Sequence, residues 1–105
     1  MKLKGATDQD GVRTTLLFWC PGCKTPHPYR VERSKTEGPE HPVWTFNGDM
    51  ERPTFTPSLL VNANSPGHTR CHLFMTAGQL QFCGDSQHEL AGKTVECPDW
   101  DEEKW

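Results

Sequence analysis

Cys20 and Cys23 enclose Pro21-Gly22 behind an apolar run, Leu16-Leu17-Phe18-Trp19, and His27 follows four residues later. Cys-Pro-Gly-Cys has the shape of a zinc knuckle, because the Pro-Gly pair turns the backbone until both sulfurs face one point. Two thiolates supply half of a tetrahedral site. The other half must come from His27, Cys71, His72, Cys83, His88 or Cys97. A thioredoxin-like redox motif would need a helix directly after the second cysteine, and Lys24-Thr25-Pro26-His27-Pro28 cannot form one. His27, held between two prolines, is either a ligand or a solvated loop residue.

A second group of reactive side chains falls on a hairpin, Cys71 to Thr76 against Gln79 to Cys83, with Ala77-Gly78 as a two-residue turn. That turn pairs Thr76 with Gln79, Phe74 with Gln81 and His72 with Cys83. Alternation then places Cys71, Leu73, Met75, Leu80 and Phe82 on the core face. His72, Phe74, Thr76, Gln79, Gln81 and Cys83 take the opposite one. Cys71 therefore points inward, as a small buried residue or as a ligand approaching the knuckle from inside. His72 points outward beside Cys83, and Asp85 lies two residues further on nominally the same face. An imidazole backed by a carboxylate has a fixed tautomer and can serve as a general base; a surface histidine near an acid is the plainer reading.

Ser58 lacks a Gly-x-Ser-x-Gly elbow. It has instead a rigid approach, Arg52-Pro53-Thr54-Phe55-Thr56-Pro57, that could aim its hydroxyl at a neighbouring strand. His88 is the remaining candidate. With His72 and Asp85 it would make a His/Asp/His metal site with a position open for water. Otherwise it makes a capping or packing contact.

The elements that must position these groups are short. Thr14 to Cys20 reads as a buried strand delivering the knuckle, Val43 to Phe46 as a second strand, and Leu59 to Val61 as a third. Thr94 to Glu96 closes the sheet. Arg30 to Pro42 and Asn62 to His68 are loops, and Asn47-Gly48 is a turn. Ser86-Gln87-His88-Glu89 fits a capping box opening a single helical turn, His88 to Ala91, stopped by Gly92. Residues 1–11 form a loose leader and 98–105 an acidic tail, with Cys97 at the tail's start. The expected fold is mostly β: a small single domain over 1–105, an antiparallel sheet with long loops, a zinc knuckle and at most one short helical turn.

Composition narrows the function. Only 33% of the 105 residues are hydrophobic, so the core is thin and a metal staple would help to hold it. Net charge is −3 and the basic residues are scattered, so no nucleic-acid face is expected. No apolar run approaches the roughly 18 residues that span a bilayer, and no signal peptide is evident. A cytoplasmic location and no membrane partner are the expectation, with the five cysteines serving as thiols or ligands rather than disulfides.

Phe18-Trp19-Cys20-Pro21-Gly22-Cys23, His27, Trp44-Thr45-Phe46-Asn47-Gly48, Pro53-Thr54-Phe55-Thr56-Pro57-Ser58-Leu59, Arg70-Cys71-His72 and Asp85-x-x-His88-Glu89-Leu90-Ala91-Gly92 occur in an order that resembles a family of small phage and prophage proteins. That family is known as a domain of unknown function and is often mislabelled ammonia monooxygenase. It looks related to the predicted peptidase of bacterial ubiquitin-like conjugation operons. The resemblance spans roughly Phe18 to Trp100 and marks Cys20, Cys23, His27, Ser58, Cys71, His72, Asp85 and His88. It implies a zinc-containing hydrolase in a bacterial host cell, a peptidase acting on a ubiquitin-like protein. Ser58, His72 and Asp85 would be catalytic, and Zn2+ would sit on Cys20, Cys23, His27 and Cys71. Two alternatives stand beside it: catalytic zinc on His72, Asp85 and His88, or a non-catalytic, zinc-stabilised accessory module that binds a protein partner, to which Trp100 and Trp105 in the acidic tail could contribute. The chain departs from the family at Ser86, where a cysteine is common. A nucleophile or ligand role for that cysteine would be weakened here, and Cys83 could substitute only after a loop rearrangement.

Overall fold

A computed structural model describes residues 2–7, 13–31, 43–62 and 69–99. Among these residues eight strands run in chain order: β1 (Lys4–Thr7), β2 (Arg13–Cys20), β3 (Thr25–Arg30), β4 (Thr45–Phe46), β5 (Phe55–Val61), β6 (Cys71–Thr76), β7 (Gln79–Phe82) and β8 (Thr94–Glu96). They form two antiparallel meanders, β1-β2-β3 and β4-β5-β6-β7-β8. The mostly β expectation holds, as two sheets rather than one, with no helix among the described residues.

Period-two alternation builds the core. Leu16, Phe18 and Cys20 of β2 and His27 and Tyr29 of β3 turn inward from the first sheet. Phe55, Leu59, Cys71, Leu73, Met75, Leu80 and Phe82 turn inward from the second. The two sheets meet where Tyr29 stacks on Phe55, with centroids 3.9 Å apart and planes 2° from parallel. Phe46 stacks on the same Phe55 ring, at 4.9 Å. Stacked aromatic contacts bury large apolar rings, so Phe55 is the joint between the sheets.

The hairpin β6–β7 has the expected register, Thr76 opposite Gln79 and Phe74 opposite Gln81. Ala77 and Gly78 both have positive φ, as a type I′ turn demands. β5 is less regular. Between Phe55 and Leu59 it advances four positions while β6 advances two, so Thr56-Pro57-Ser58 bulges from the ladder. A bulge re-aims a side chain, and here the re-aimed residue is Ser58.

Four expectations need correction. The leader is not loose where it is described: Lys4–Thr7 pairs with β2, Leu3 is buried, and the Lys2 N–H donates to the Met50 carbonyl at 3.2 Å. Cys97 does not open an exposed tail. It is fully buried, its N–H donates to the Gly78 carbonyl at 2.8 Å, and burial pushes its thiol up to about 12. His88 to Ala91 forms turns and no helix, because the Ser86 hydroxyl is engaged with His72 instead of capping. The solvated-loop alternative for His27 falls, because Thr25–Arg30 is a strand and His27 is buried within it. The Arg30–Pro42 and Asn62–His68 loops fall largely, and residues 8–11 and 100–105 wholly, outside the described residues.

The Tyr29 hydroxyl is buried without a hydrogen-bond partner. Desolvation of such a group costs about 1–3 kcal/mol. Tyr29→Phe keeps the stack on Phe55 and should therefore leave the protein as stable as wild type or up to about 1 kcal/mol more stable. Denaturant unfolding showing a loss of more than about 1 kcal/mol would refute this account of the core.

Candidate functional site

Two clusters sit back to back on β6, because adjacent strand residues face opposite ways. On the inner side, Cys20 ends β2, Cys23 lies in the β2–β3 turn, His27 sits opposite Phe18 on β3, and Cys71 opens β6. One ligand atom from each of these four falls within 4.8 Å of all the others. The knuckle forms locally as its sequence demands: the Lys24 N–H donates to the Cys20 carbonyl at 2.8 Å, and the Cys23 N–H points at Cys20 Sγ at 3.4 Å. Cys20 and Cys71 sulfurs approach to 3.9 Å.

The Cys71 hydrogen bond, joined by His27, pulls the Cys20 thiol down to about 4 against the opposing effect of burial. Burial pushes Cys23 up to about 11, and Cys71, as partner to Cys20, is also raised. His27 is 3% exposed, and its Nε2 has no hydrogen-bond partner. Three soft sulfurs and an imidazole at this spacing fit a structural metal ion. A coordination bond is also the kind of partner a buried imidazole nitrogen needs. The chemistry such an ion supplies is cross-linking, tying the first sheet to the first residue of β6.

On the outer side, Ser58 Oγ lies 3.0 Å from His72 Nε2, and His72 Nδ1 lies 3.1 Å and 3.3 Å from the two Asp85 oxygens. The three groups come from the β5 bulge, from β6 and from the turn after β7. Trp44 steadies the bulge by donating its indole N–H to the Ser58 carbonyl at 3.2 Å. Ser86 fixes the base: its hydroxyl accepts from the His72 N–H at 3.0 Å and donates to the His72 carbonyl at 2.9 Å. Gln87 continues the clamp, its N–H donating to the Arg70 carbonyl and its Oε1 accepting from the Arg70 N–H, both at 2.8 Å. Residues 83–87 thereby act as a short strand made partly of side chains, and Asp85 projects from it toward His72.

His88 does not join His72 and Asp85. Its Nε2 lies 3.4 Å from Cys71 Sγ, its ring packs edge-on against Phe82 at 4.6 Å, and a Cβ on Gly22 would meet that ring at 2.3 Å. A His72/Asp85/His88 metal site is therefore not assembled. His88 belongs behind Cys71, where its ring holds a thiol of the inner cluster in place.

Ser86 is buried and committed to backbone, so it is no nucleophile. Burial, then the Asp85 carboxylate, hold the Cys83 thiol above its ordinary range. The contacts of Trp44 with the Ser58 carbonyl, of Ser86 with the His72 backbone and of His88 with Cys71 were not read from the sequence.

A cleft of about 340 Å³ runs along the part of β5 that follows the bulge, walled by Trp44, Leu59 and Leu60 and by Thr15, Pro28 and Arg30. Leu60, opposite His72 in the ladder, is 49% exposed, and Phe74 is 42% exposed on the same face. The outer cluster is thus approached over apolar ground. Among the described residues no helix is long and apolar enough to cross a membrane.

A family model for the bacterial ubiquitination-like system serine protease (BubE) matches residues 2–83, a span that includes Ser58 and His72 and stops short of Asp85. No curated protein and no solved structure matches the chain significantly.

Metal analysis of protein purified without chelator should find one tightly held ion per chain. Cys20→Ser and Cys71→Ser should each lose it together with cooperative unfolding, since binding energy at such a site is folding energy, about 10–16 kcal/mol in small zinc peptides. A metal-free protein with unchanged thermal unfolding would sink the cross-link.

Proposed function

The chain belongs to the family of bacterial ubiquitination-like system serine proteases, and on that premise we propose that it is a peptidase which releases or trims a ubiquitin-like protein, with Ser58, His72 and Asp85 as its catalytic group. The observation that carries the reading is the continuous chain of contacts from Ser58 Oγ through both nitrogens of one imidazole to a carboxylate, at 3.0 Å and 3.1 Å. Nucleophile, base and orienter within hydrogen-bond reach are the geometric requirements for acyl transfer.

In this mechanism Asp85 accepts the Nδ1 proton of His72 in a hydrogen bond, which leaves the Nε2 lone pair facing Ser58. Nε2 takes the hydroxyl proton as Ser58 Oγ attacks the substrate carbonyl. The imidazolium, stabilised by Asp85, then protonates the leaving group as the tetrahedral intermediate collapses to an acyl-enzyme. Water enters by the same route, loses its proton to Nε2, and releases the acid while Ser58 recovers its proton. Cys20, Cys23, His27 and Cys71 hold zinc as a structural ion and take no part in these transfers. The cleft along residues 59–62, directly after Ser58 in the chain, receives the extended segment of the ubiquitin-like substrate, its apolar side chains set against Trp44 and Leu60.

Ser58→Ala and His72→Ala should each abolish cleavage of a ubiquitin-like fusion while leaving metal content and circular dichroism unchanged. The double variant should be scarcely slower than either single one, because members of one catalytic unit are non-additive. Asp85→Asn should lose on the order of 10⁴-fold in kcat through the wrong imidazole tautomer. Ser58→Ala retaining most of the activity would reject the serine mechanism. Folded, metal-loaded wild type inert toward a panel of such fusions would instead favour a non-catalytic binding module.

A further inference from the structure

The outer cluster contains a fourth reactive group that the hydrolytic mechanism leaves unused. Cys83 follows β7 directly, its N–H donates to the His72 carbonyl at 2.8 Å, and its sulfur, a His72 nitrogen and an Asp85 oxygen all lie within 4.8 Å of one another. Cys83 and His72 are half-buried, while Asp85 is exposed, so the group is walled by protein yet open to ions from solvent. A thiolate, an imidazole and a carboxylate converging from three directions form a donor set for zinc-class ions with one position left for water. Magnesium and calcium, which need an oxygen shell, are poorly served by it.

We propose that His72, Cys83 and Asp85 form a second, inhibitory binding site for a zinc-class divalent ion. The inhibitory effect rests on the serine mechanism above; the site itself does not. Asp85 faces Nδ1 of His72, and Ser58 faces Nε2. An ion held between Cys83 and Asp85 takes the Nδ1 lone pair, and the thiol proton of Cys83 leaves to solvent. The single proton of the neutral imidazole then resides on Nε2, where it donates to Ser58 Oγ. The base needs a lone pair at that position. One binding event therefore removes the orienting carboxylate and fixes the inactive tautomer. The inner cluster is unaffected, because Cys71 lies on the other face of β6.

Equilibrium dialysis against excess Zn2+ should give two ions per chain for wild type and for Ser58→Ala, whose hydroxyl is no ligand, and one for Cys83→Ser. Cys83→Ala serves as a second variant should the serine disturb folding. Saturating the weaker site should slow cleavage of a ubiquitin-like fusion on the order of 10⁴-fold, the loss that a misassigned imidazole tautomer brings. A mild chelator that leaves the first ion in place should restore the rate. Cys83→Ser should keep its activity under the same Zn2+, and Mg2+ should have no effect on either protein. One ion per chain in wild type, or a second ion retained by both Cys83 variants, would overturn the site. A second ion bound without loss of cleavage would overturn the inhibition. An enzyme inactive without any added ion would instead count against the serine mechanism, with the site still decided by the dialysis on Ser58→Ala.

Discussion

The alternation of side chains at Cys71 and His72 is the constraint on which the rest of the molecule depends. Two residues joined by one peptide bond must face opposite sides of a strand, and this chain places a thiol of the four-residue Cys/His cluster on one side and an imidazole on the other. Everything that fixes Cys71 also fixes His72. The knuckle, delivered by β2 and β3, holds the inner side, and the β5 bulge approaches the outer side. Neither cluster is adjustable alone, since a shift of register by one residue would exchange their faces.

The segment after β7 repeats the same division without regular secondary structure. Ser86 and Gln87 reproduce strand-like pairing to His72 and Arg70 through a hydroxyl and an amide. From that short clamp Asp85 reaches the outer face and His88 the inner one. A loop would ordinarily be among the less constrained parts of a small β protein. Here its polar side chains meet backbone groups that a ninth strand would otherwise satisfy. Aromatic stacking of Tyr29, Phe55 and Phe46 keeps the two sheets in register behind these contacts.

The hairpin carrying Cys71 and His72 was legible in the sequence because three independent signals agreed: a two-residue turn, strict alternation and an apolar inner face. The facing of His72 toward Cys83 and Asp85 followed from them. β3 was illegible because Pro26 and Pro28 rule out a helix and carry no strand signal of their own. It is an edge strand, and both prolines sit at its exposed positions, where a missing N–H breaks no ladder bond that the sheet needs. β5 was only half legible for a related reason, since Pro57 lies inside the strand and the bulge that accommodates it is a tertiary feature. The capping-box pattern at Ser86 was a sound local rule overruled by a long-range partner, because the hydroxyl gains two hydrogen bonds at His72. The side on which His88 falls depends on the course of a turn, and no spacing in the sequence reports that.

Gly22 was introduced as half of a turn, but its contact with His88 gives it a second significance. The imidazole occupies the volume that any β-carbon at position 22 would require. Residues 22 and 88, far apart in the chain, are thus a single steric unit in which one side chain serves two positions. A side chain at position 22 would force the ring away from its place behind Cys71, so glycine in the Cys-Pro-Gly-Cys turn answers to an occupied neighbouring space.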